Sequence, residues 1–273
     1  MKIIRTIEAL KEWRSRAGES IGFVPTMGAL HEGHSTLIKQ AVEENEYVVV
    51  SVFVNPTQFL AGEDLNTYPK KEDSDKKICE LLGVEVLFMP NIDAMYLKDE
   101  VLIHAPNIRG YILEGHSRPG HFDGVLQIVM KLFNLTRATN AYFGKKDAQQ
   151  LALIEQMVKN YFLDINIVAV DTVRQNDGLA LSSRNAYLSE IERKEALKLS
   201  RSLKEAAHLF QVGEKNCSVI KVKMLEVLDS LDVEYVSIVD RSFKELKQIE
   251  KDNTIVLVTA RVGSTRLIDN IWL

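Results

Sequence analysis

Apolar runs and helical spacings of apolar residues alternate along the first two thirds of the chain. Residues 21–24 are largely apolar, and residues 47–54 form a run rich in β-branched side chains that ends at Asn55 and Pro56. Between them, apolar residues recur at positions 37–42 with the spacing of a helix. A run that is apolar on both faces suits a strand inside a parallel sheet. The pattern therefore predicts a strand–helix–strand unit with a right-handed crossover.

The same alternation continues as far as residue 170. Gly83 ends one predicted helix, and a long loop rich in Gly, Pro and His follows the next strand. The elements predicted after Gly83 are a strand at 84–90, a loop at 101–124, a helix at 125–135, a short strand ending at Gly144, a helix at 146–161 and a strand at 165–170. Together they predict an α/β fold with a Rossmann-like, doubly wound parallel sheet.

The last third of the chain has a different pattern. Helical spacings at 189–212 and 216–231 precede two runs, 233–240 and 254–262, in which apolar and polar residues alternate. Alternation of this kind is typical of an antiparallel sheet with one solvated face. This part of the chain is predicted to form a smaller α+β unit.

The change of pattern near residue 175 predicts two domains, and 273 residues are enough for both. The first, residues 1–175, contains the predicted parallel sheet. The second, residues 176–273, is joined to it by a polar segment, and we expect it to move as a lid relative to the first.

Composition narrows the range of functions. The net charge is −4 and the pI is about 5.9, which gives no general basic surface for nucleic acid and favours a small-molecule partner. Only Cys79 and Cys217 occur, too few for a disulfide framework. Residues 1–16 read as an amphipathic polar segment rather than a leader, and no apolar run approaches the length of a membrane span. We expect a cytoplasmic protein without a membrane partner.

Residues 23–34, FVPTMGALHEGH, combine an apolar strand, a glycine turn and the start of a helix. Backbone N–H groups at a helix start attract phosphate, and glycine allows close approach. His31 and His34 can donate hydrogen bonds to oxygens on which charge develops during displacement at phosphorus. Alternatively, both histidines are structural or simply exposed. A soft-metal site is disfavoured, since no further His or Cys has ligand spacing.

Other polar residues have two interpretations when each is taken alone. Asn55 and Gln58 follow a central strand, where α/β sheets bind ligands, but taken alone they are better explained by turn chemistry for Asn55 and a solvated side chain for Gln58. Arg118 can clamp a phosphate or a carboxylate, or be solvated. Residues 143–150 are either a phosphate site with Lys146 or a glycine turn before a helix. Residues 177–185 place two hydroxyls and an Arg in a polar loop, which by itself could equally be a helix cap.

The string PTMGALHEGH contains the His-x-Gly-His signature of the adenylyl-transferring superfamily, and its full wording resembles the pantothenate synthetase family. SRPGHF at 117–122, FGKKDAQQ at 143–150 and DGLALSSRN at 177–185 match the same family in the same order. Members of that family condense pantoate with β-alanine through an enzyme-bound pantoyl adenylate, using ATP and Mg2+ and releasing AMP and pyrophosphate. The resemblance implies this activity, which belongs to the biosynthesis of pantothenate and coenzyme A, and a homodimer.

Carried over position by position, the resemblance implies the site residues. The catalytic set is His34 as proton donor, His31, Lys146 and Arg184. The ATP contacts are Met27, Gly28, Ala29, Leu30, His31, Glu32, Gly33, His34, Gly144, Lys145, Lys146, Asp147, Val173, Leu181, Ser182, Ser183 and Arg184. The substrate contacts are Gln58, Gln150, Asn55 and Arg118. Asp75, a better match than Asp73, is the implied metal ligand, although a solvated acidic face is the plainer interpretation of both.

Three positions depart from the family pattern. Lys145 stands where an acidic residue is usual, Thr57 where Met is usual and Lys70 where Arg is usual. Two rival functions remain open at this stage. A nucleotidyltransferase acting on a phosphate ester would keep the His-x-Gly-His turn without needing Gln58 and Gln150. A nucleotide-binding regulatory module would bind ATP without turnover.

Overall fold

The computed structural model describes residues 1–18 and 20–273. These residues form two compact units. The first comprises Met1–Lys145 and Gln149–Asp171, and the second comprises Lys146–Ala148 and Thr172–Leu273. The sequence pattern placed the division between residues 175 and 176. Across the described residues, no helix combines the length and the apolar composition needed to cross a membrane.

A six-stranded parallel sheet forms the centre of the first unit. Its strands are β1 Lys2–Ile4, β2 Ile21–Thr26, β3 Tyr47–Val52, β4 Val86–Phe88, β5 Asn140–Gly144 and β6 Asn166–Val170, in the order β1-β4-β3-β2-β5-β6. The predicted α/β class and parallel sheet are confirmed. The strand order changes direction at β2, which has β3 on one side and β5 on the other. Ligands of such sheets bind beyond the carboxyl ends of the strands at this point.

Helices connect the strands of this sheet. They are α1 Ile7–Arg16, α2 Glu32–Glu44, α3 Glu72–Leu81, α4 Ile92–Met95, α5 Glu114–Ser117, α6 His121–Thr136 and α7 Ala148–Asn160, with 3-10 turns at Pro56–Gln58 and Lys145–Asp147. The strands β2, β3 and β4 are almost entirely buried, because α2 and α3 cover one face with Ile38, Ala41 and Cys79. The predicted strand–helix–strand unit is therefore β2–α2–β3.

Three sequence expectations for this unit need correction. Residues 1–16 were described only as an amphipathic polar segment, yet Lys2–Ile4 is the edge strand β1, whose three residues are too few to give a periodic pattern. The loop predicted at 101–124 contains the helical turn α5. Helix α6 begins at His121, one turn earlier than predicted, after Gly120 adopts a left-handed φ of 84°.

The second unit packs two helices against a three-stranded antiparallel sheet. Its elements are the 3-10 segment Ser183–Tyr187, α8 Glu190–Gln211, α9 Cys217–Val227, β7 Asp232–Asp240, β8 Thr254–Val262 and β9 Thr265–Trp272. The core joins Leu199, Leu203 and Ile220 to Val256 and Val258. The expected α+β character is present, but β9 was missed. A two-residue Gly-Ser hairpin signal at 263–264 marks its start.

Candidate active site

The turn after β2 has a backbone that requires glycine. Gly28 has φ of 86°, and a Cβ there would lie 2.9 Å from Val52 Cγ1 and 3.0 Å from Asp75 Oδ2. Ala29 also has a positive φ, 51°. Non-glycine residues seldom adopt this region unless surrounding contacts hold them there. The backbone of residues 28–30 is therefore shaped by its neighbours.

Asp75 on α3 supplies those contacts. Its carboxylate is 1% exposed and accepts the Ala29 N–H at Oδ2 (3.0 Å) and the Leu30 N–H at Oδ1 (2.8 Å). Burial raises the pKa of Asp75, and the two N–H bonds partly oppose that rise. The two carboxylate oxygens of Asp75 thus hold the backbone of the turn in place at Ala29 and Leu30.

Two groups that the resemblance assigns to ligands have partners within the protein. Ala29 and Leu30 are implied ATP contacts, and their N–H groups donate to Asp75, while the Gly28 N–H donates to Thr26 Oγ1 at 3.2 Å. Asp75, the metal ligand that the resemblance implies, accepts one backbone N–H bond at each oxygen. No cluster of three or more His, Cys, Asp or Glu in the described part of the chain has the form of a metal site.

Backbone N–H groups fix the protonation site of each histidine ring. His31 caps α2, with its Nδ1 accepting the Gly33 N–H at 3.2 Å, while His34 Nδ1 accepts the His31 N–H at 3.3 Å. A ring nitrogen that accepts an N–H bond carries no proton, so each neutral ring carries its hydrogen on Nε2. The ring centroids are 4.0 Å apart. The turn therefore presents two adjacent imidazoles, each with Nε2–H as its donor.

Gln58 follows β3, and its side chain is oriented by a short relay. Asn55, 1% exposed, accepts hydroxyl bonds at Oδ1 from Tyr96 (2.7 Å) and Thr57 (3.0 Å). Its Nδ2 donates to Gln58 Oε1 at 3.1 Å, which turns Gln58 Nε2 toward Met27 Sδ, also at 3.1 Å. Thr57, one of the departures from the family pattern, is thus part of the relay. The relay directs the Gln58 amide NH2 toward Met27, which begins the histidine turn, the segment of residues 27–34.

Arg118 lies at the same end of the sheet but already binds a carboxylate. Its Nε and Nη2 donate to Glu63 Oε1 and Oε2, each at 2.6 Å. Burial opposes ionisation of Glu63, but hydrogen bonds from Arg118 and Leu60 outweigh it, so the pKa of Glu63 is lowered. Glu63 was not anticipated from sequence, because 55 residues separate the partners. The bidentate pair occupies the fork that was expected to clamp a substrate.

Residues at the end of β5 are held in several ways. Lys145 Nζ is 2.6 Å from Asp171 Oδ1, so its charge has a carboxylate partner. Gln149, 4% exposed, accepts the Glu114 N–H and donates to the carbonyls of Arg109 and Ile112. Its neighbour Gln150, the predicted substrate contact, is half-buried on the first turn of α7. Gln149 therefore has a structural role that its position beside Gln150 did not indicate.

Lys146 and Asp147 belong to the second compact unit. Their side chains approach to 3.7 Å, and the Lys146 carbonyl accepts from Asn270 Nδ2 at 2.7 Å. In the same unit, the Leu181 N–H donates to the Val173 carbonyl at 3.0 Å, so these two predicted contacts are neighbours. Ser182 Oγ caps the following turn at the Arg184 N–H, 3.2 Å away.

Arg174 anchors this loop. Its guanidinium makes two bonds to Asp269, at 2.7 and 2.9 Å, and one to the Gly178 carbonyl at 3.2 Å. The Asp269 side chain is 3% exposed, so the pair is largely shielded from water. The loop is held at its base, and residues 181–184 follow directly from that base.

Comparison with known proteins shows the family of this chain. The pantoate-beta-alanine ligase family matches residues 2–272. A pantothenate synthetase from Aliarcobacter butzleri is 61% identical over 273 residues, and one from Sulfurimonas denitrificans is 58% identical, each with both chains fully covered.

Solved structures give the same result. A pantothenate synthetase from Thermus thermophilus has a TM-score of 0.95 at 37% identity, covering 100% of this chain and 99% of the other. A pantoate-beta-alanine ligase from Francisella tularensis, complexed with beta-gamma ATP and beta-alanine, has a TM-score of 0.84 at 37% identity, with 100% and 97% covered. From its sequence and its fold, this chain belongs to the pantoate–β-alanine ligase family.

Proposed function

We propose that this chain condenses D-pantoate with β-alanine, consuming ATP and releasing pantothenate, AMP and pyrophosphate. The full-length family match supports the reaction. The observation that carries the assignment to this site is the histidine turn, where the backbone bonds of His31 and His34 make Nε2–H the donor of both rings. Paired donors suit a substrate whose phosphate oxygens gain charge as it reacts.

The first step activates the acid. A carboxylate is a poor electrophile toward an amine, so a pantoate carboxylate oxygen attacks the α-phosphorus of ATP and the bond to the pyrophosphate oxygen breaks. Pyrophosphate leaves with the bonding electrons, and pantoyl adenylate forms. We assign charge stabilisation on the phosphates to His31 and His34, and by family resemblance to Lys146 and Arg184, with His34 as the proton donor.

The second step forms the amide. The free amine of β-alanine attacks the carbonyl carbon of pantoyl adenylate, the bond to the AMP oxygen breaks and the amine loses a proton. Each bond formed is matched by one broken, and no protein nucleophile is needed. Burial raises the pKa of Cys79 to about 12, which keeps this thiol protonated and unreactive.

Gln58 has the orientation that a pantoate carboxylate or hydroxyl requires of a donor. Since Asn55 occupies Gln58 Oε1, the group left to bind a substrate is Nε2, whose NH2 has a second hydrogen beside the one directed to Met27 Sδ. We therefore assign Gln58 and Gln150 to pantoate, with Gln58 also near β-alanine. We reassign Asn55 from direct contact to orienting Gln58, because its own amide is bonded within the protein.

Mg2+ enters the proposed reaction with ATP, as the Mg-ATP substrate, and neutralises phosphate charge. Phosphate oxygens can hold this ion with few protein ligands. Both Asp75 oxygens already accept backbone N–H bonds, so we assign the ion no protein ligand.

The remaining assignments rest on family resemblance. They are the ATP contacts of residues 144–147, Val173 and 181–184, a lid role for residues 176–273, a homodimer and a cytoplasmic location. Water exclusion gives the lid its purpose, because pantoyl adenylate hydrolyses if water reaches it.

The test is product formation from Mg-ATP with each substrate omitted in turn. We expect AMP, pyrophosphate and pantothenate in equal amounts only when pantoate and β-alanine are both supplied. AMP release that ignores pantoate would point to adenylyl transfer onto another acceptor. ATP binding without turnover in the complete mixture would favour a regulatory module and refute the proposal.

A further inference from the structure

The short turn Pro56–Gln58 is held against the start of α6. Gly124 allows the contact, since a Cβ at that position would lie 2.3 Å from the Thr57 carbonyl oxygen. Asn55 Nδ2 also donates to the Gly124 carbonyl at 3.1 Å. The backbone that carries Gln58 is therefore located by α6 as well as by β3.

Two side chains bind the Gln58 carbonyl oxygen, one from the first residue of α6 and one from the C-cap residue of α5. His121 Nδ1 lies 2.8 Å from it, and Arg118 Nη2 lies 3.3 Å from it. A third contact closes the group, with Arg118 Nη1 3.0 Å from His121 Nε2. His121 is 8% exposed, so these bonds are made away from water.

The hydrogen-bond partners of the two His121 ring nitrogens allow only one tautomer. A carbonyl can only accept, so Nδ1 must carry the hydrogen; a guanidinium can only donate, so Nε2 must be bare. Burial first, and then the charge of Arg118, lower the pKa of His121 to about 4, which keeps the ring neutral. The ring thus acts as a fixed donor to Gln58.

Glu63 holds Arg118 in the orientation that this arrangement needs. The two 2.6 Å bonds fix the guanidinium plane, and the Leu60 N–H fixes Glu63 Oε2 at 3.1 Å. The Arg118 and Glu63 side chains are 13% and 24% exposed. A bidentate, charge-assisted pair of this kind is stronger and more directional than a single neutral bond.

We propose that His121 is a positioning residue for pantoate, acting through the Gln58 backbone, with Arg118 and Glu63 holding its tautomer. The inference rests on the proposed function in one respect, the assignment of Gln58 to pantoate. It gives Arg118 an indirect role in place of a direct substrate clamp.

Two substitutions separate positioning from packing. His121→Asn places an amide NH2 near the position of Nδ1, whereas His121→Leu fills the space without a donor. We expect His121→Leu to raise KM for pantoate about tenfold, the equivalent of one lost hydrogen bond, and to change KM for ATP less than about twofold. His121→Asn should keep KM for pantoate within about threefold of the wild type. His116→Asn, at an exposed site five residues earlier, is the matched control and should change neither constant.

A direct test reads the tautomer. Long-range proton–nitrogen correlation spectra of the wild-type protein without substrates should show His121 with hydrogen on Nδ1, and Glu63→Gln should weaken that preference. Hydrogen on Nε2 in the wild type would overturn the inference, as would equal losses in the Asn and Leu variants or a parallel rise in KM for ATP. Because this spectrum needs no turnover, its result is independent of the proposed function, which fails separately if the wild type makes no pantothenate.

Discussion

Replacing Asp75 by Asn tests whether the histidine turn is built by this buried carboxylate. The substitution conserves size but removes the charge. One amide oxygen can still accept an N–H bond, whereas the amide NH2 faces the other backbone N–H. The two bonds, from Ala29 and Leu30, therefore become one bond and one clash between donors.

The magnitude follows from the burial of the group. A buried donor left unpaired costs about 1–3 kcal/mol, and a bond to a charged acceptor contributes about 1.5–3 kcal/mol. Relief of the buried charge offsets part of this loss, because burial raises the pKa of Asp75 and so disfavours the carboxylate. We expect the free energy of unfolding to fall by about 2 kcal/mol. If the turn shifts by the same free energy, KM for ATP rises by up to about thirtyfold.

The assay combines chemical denaturation with KM for ATP and for pantoate. Asp73→Asn is the matched control, since that side chain is fully exposed two residues away on α3. A stable Asp75→Asn protein with unchanged KM for ATP would refute this account of the turn. Recovery of activity at raised Mg2+ would instead support Asp75 as a metal ligand.

Three further predictions follow from the site. Gly28→Ala should raise KM for ATP and lower the free energy of unfolding by about 1–3 kcal/mol, because alanine is strained in a backbone with φ of 86°. Steady-state kinetics and denaturation measure the two effects, and an unchanged KM and stability would contradict a turn that requires glycine. Tyr96→Phe removes a hydroxyl from Asn55 and should raise KM for pantoate about threefold to tenfold, in steady-state kinetics, with KM for ATP constant. The low pKa of His121, about 4 against 6.5, means that the unfolded chain binds the proton better. The stability that His121 contributes is therefore present above pH 6.5 and is lost toward pH 4. Because of this residue, we expect the free energy of unfolding to fall by about 2 kcal/mol between pH 7 and pH 5, and denaturation should show a smaller fall in His121→Asn.

The sequence predicted the parts of the fold that have strong local periodicity. The β2–α2–β3 unit was predictable because residues 47–54 are buried on both faces and α2 has an apolar side. The edge strand β1 was not, since three residues beside β4 carry no period of their own. Strand β9 mixes polar residues with apolar ones, and burial of Asp269 depends on Arg174, almost a hundred residues away.

The sequence predicted which residues lie in the site, but it did not predict their hydrogen-bond partners. His31 and His34 follow from the turn and the family resemblance, but their Nδ1 contacts arise from the conformation of the helix start. Asp75 binds Leu30, 45 residues away along the chain, and Glu63 binds Arg118, 55 residues away. No local sequence pattern predicts contacts over such distances. Asp75 and Arg118 were therefore assigned to ligands, whereas in the fold Asp75 binds the backbone of the turn and Arg118 binds Glu63.

One isotope measurement tests the central claim, that pantoate is activated as an adenylate. Pantoate labelled with 18O in its carboxylate is turned over with Mg-ATP and β-alanine, and the AMP and pyrophosphate are analysed by mass spectrometry. The account predicts one 18O atom in each AMP formed and none in pyrophosphate. Unlabelled AMP, or label in inorganic phosphate together with ADP, would contradict it.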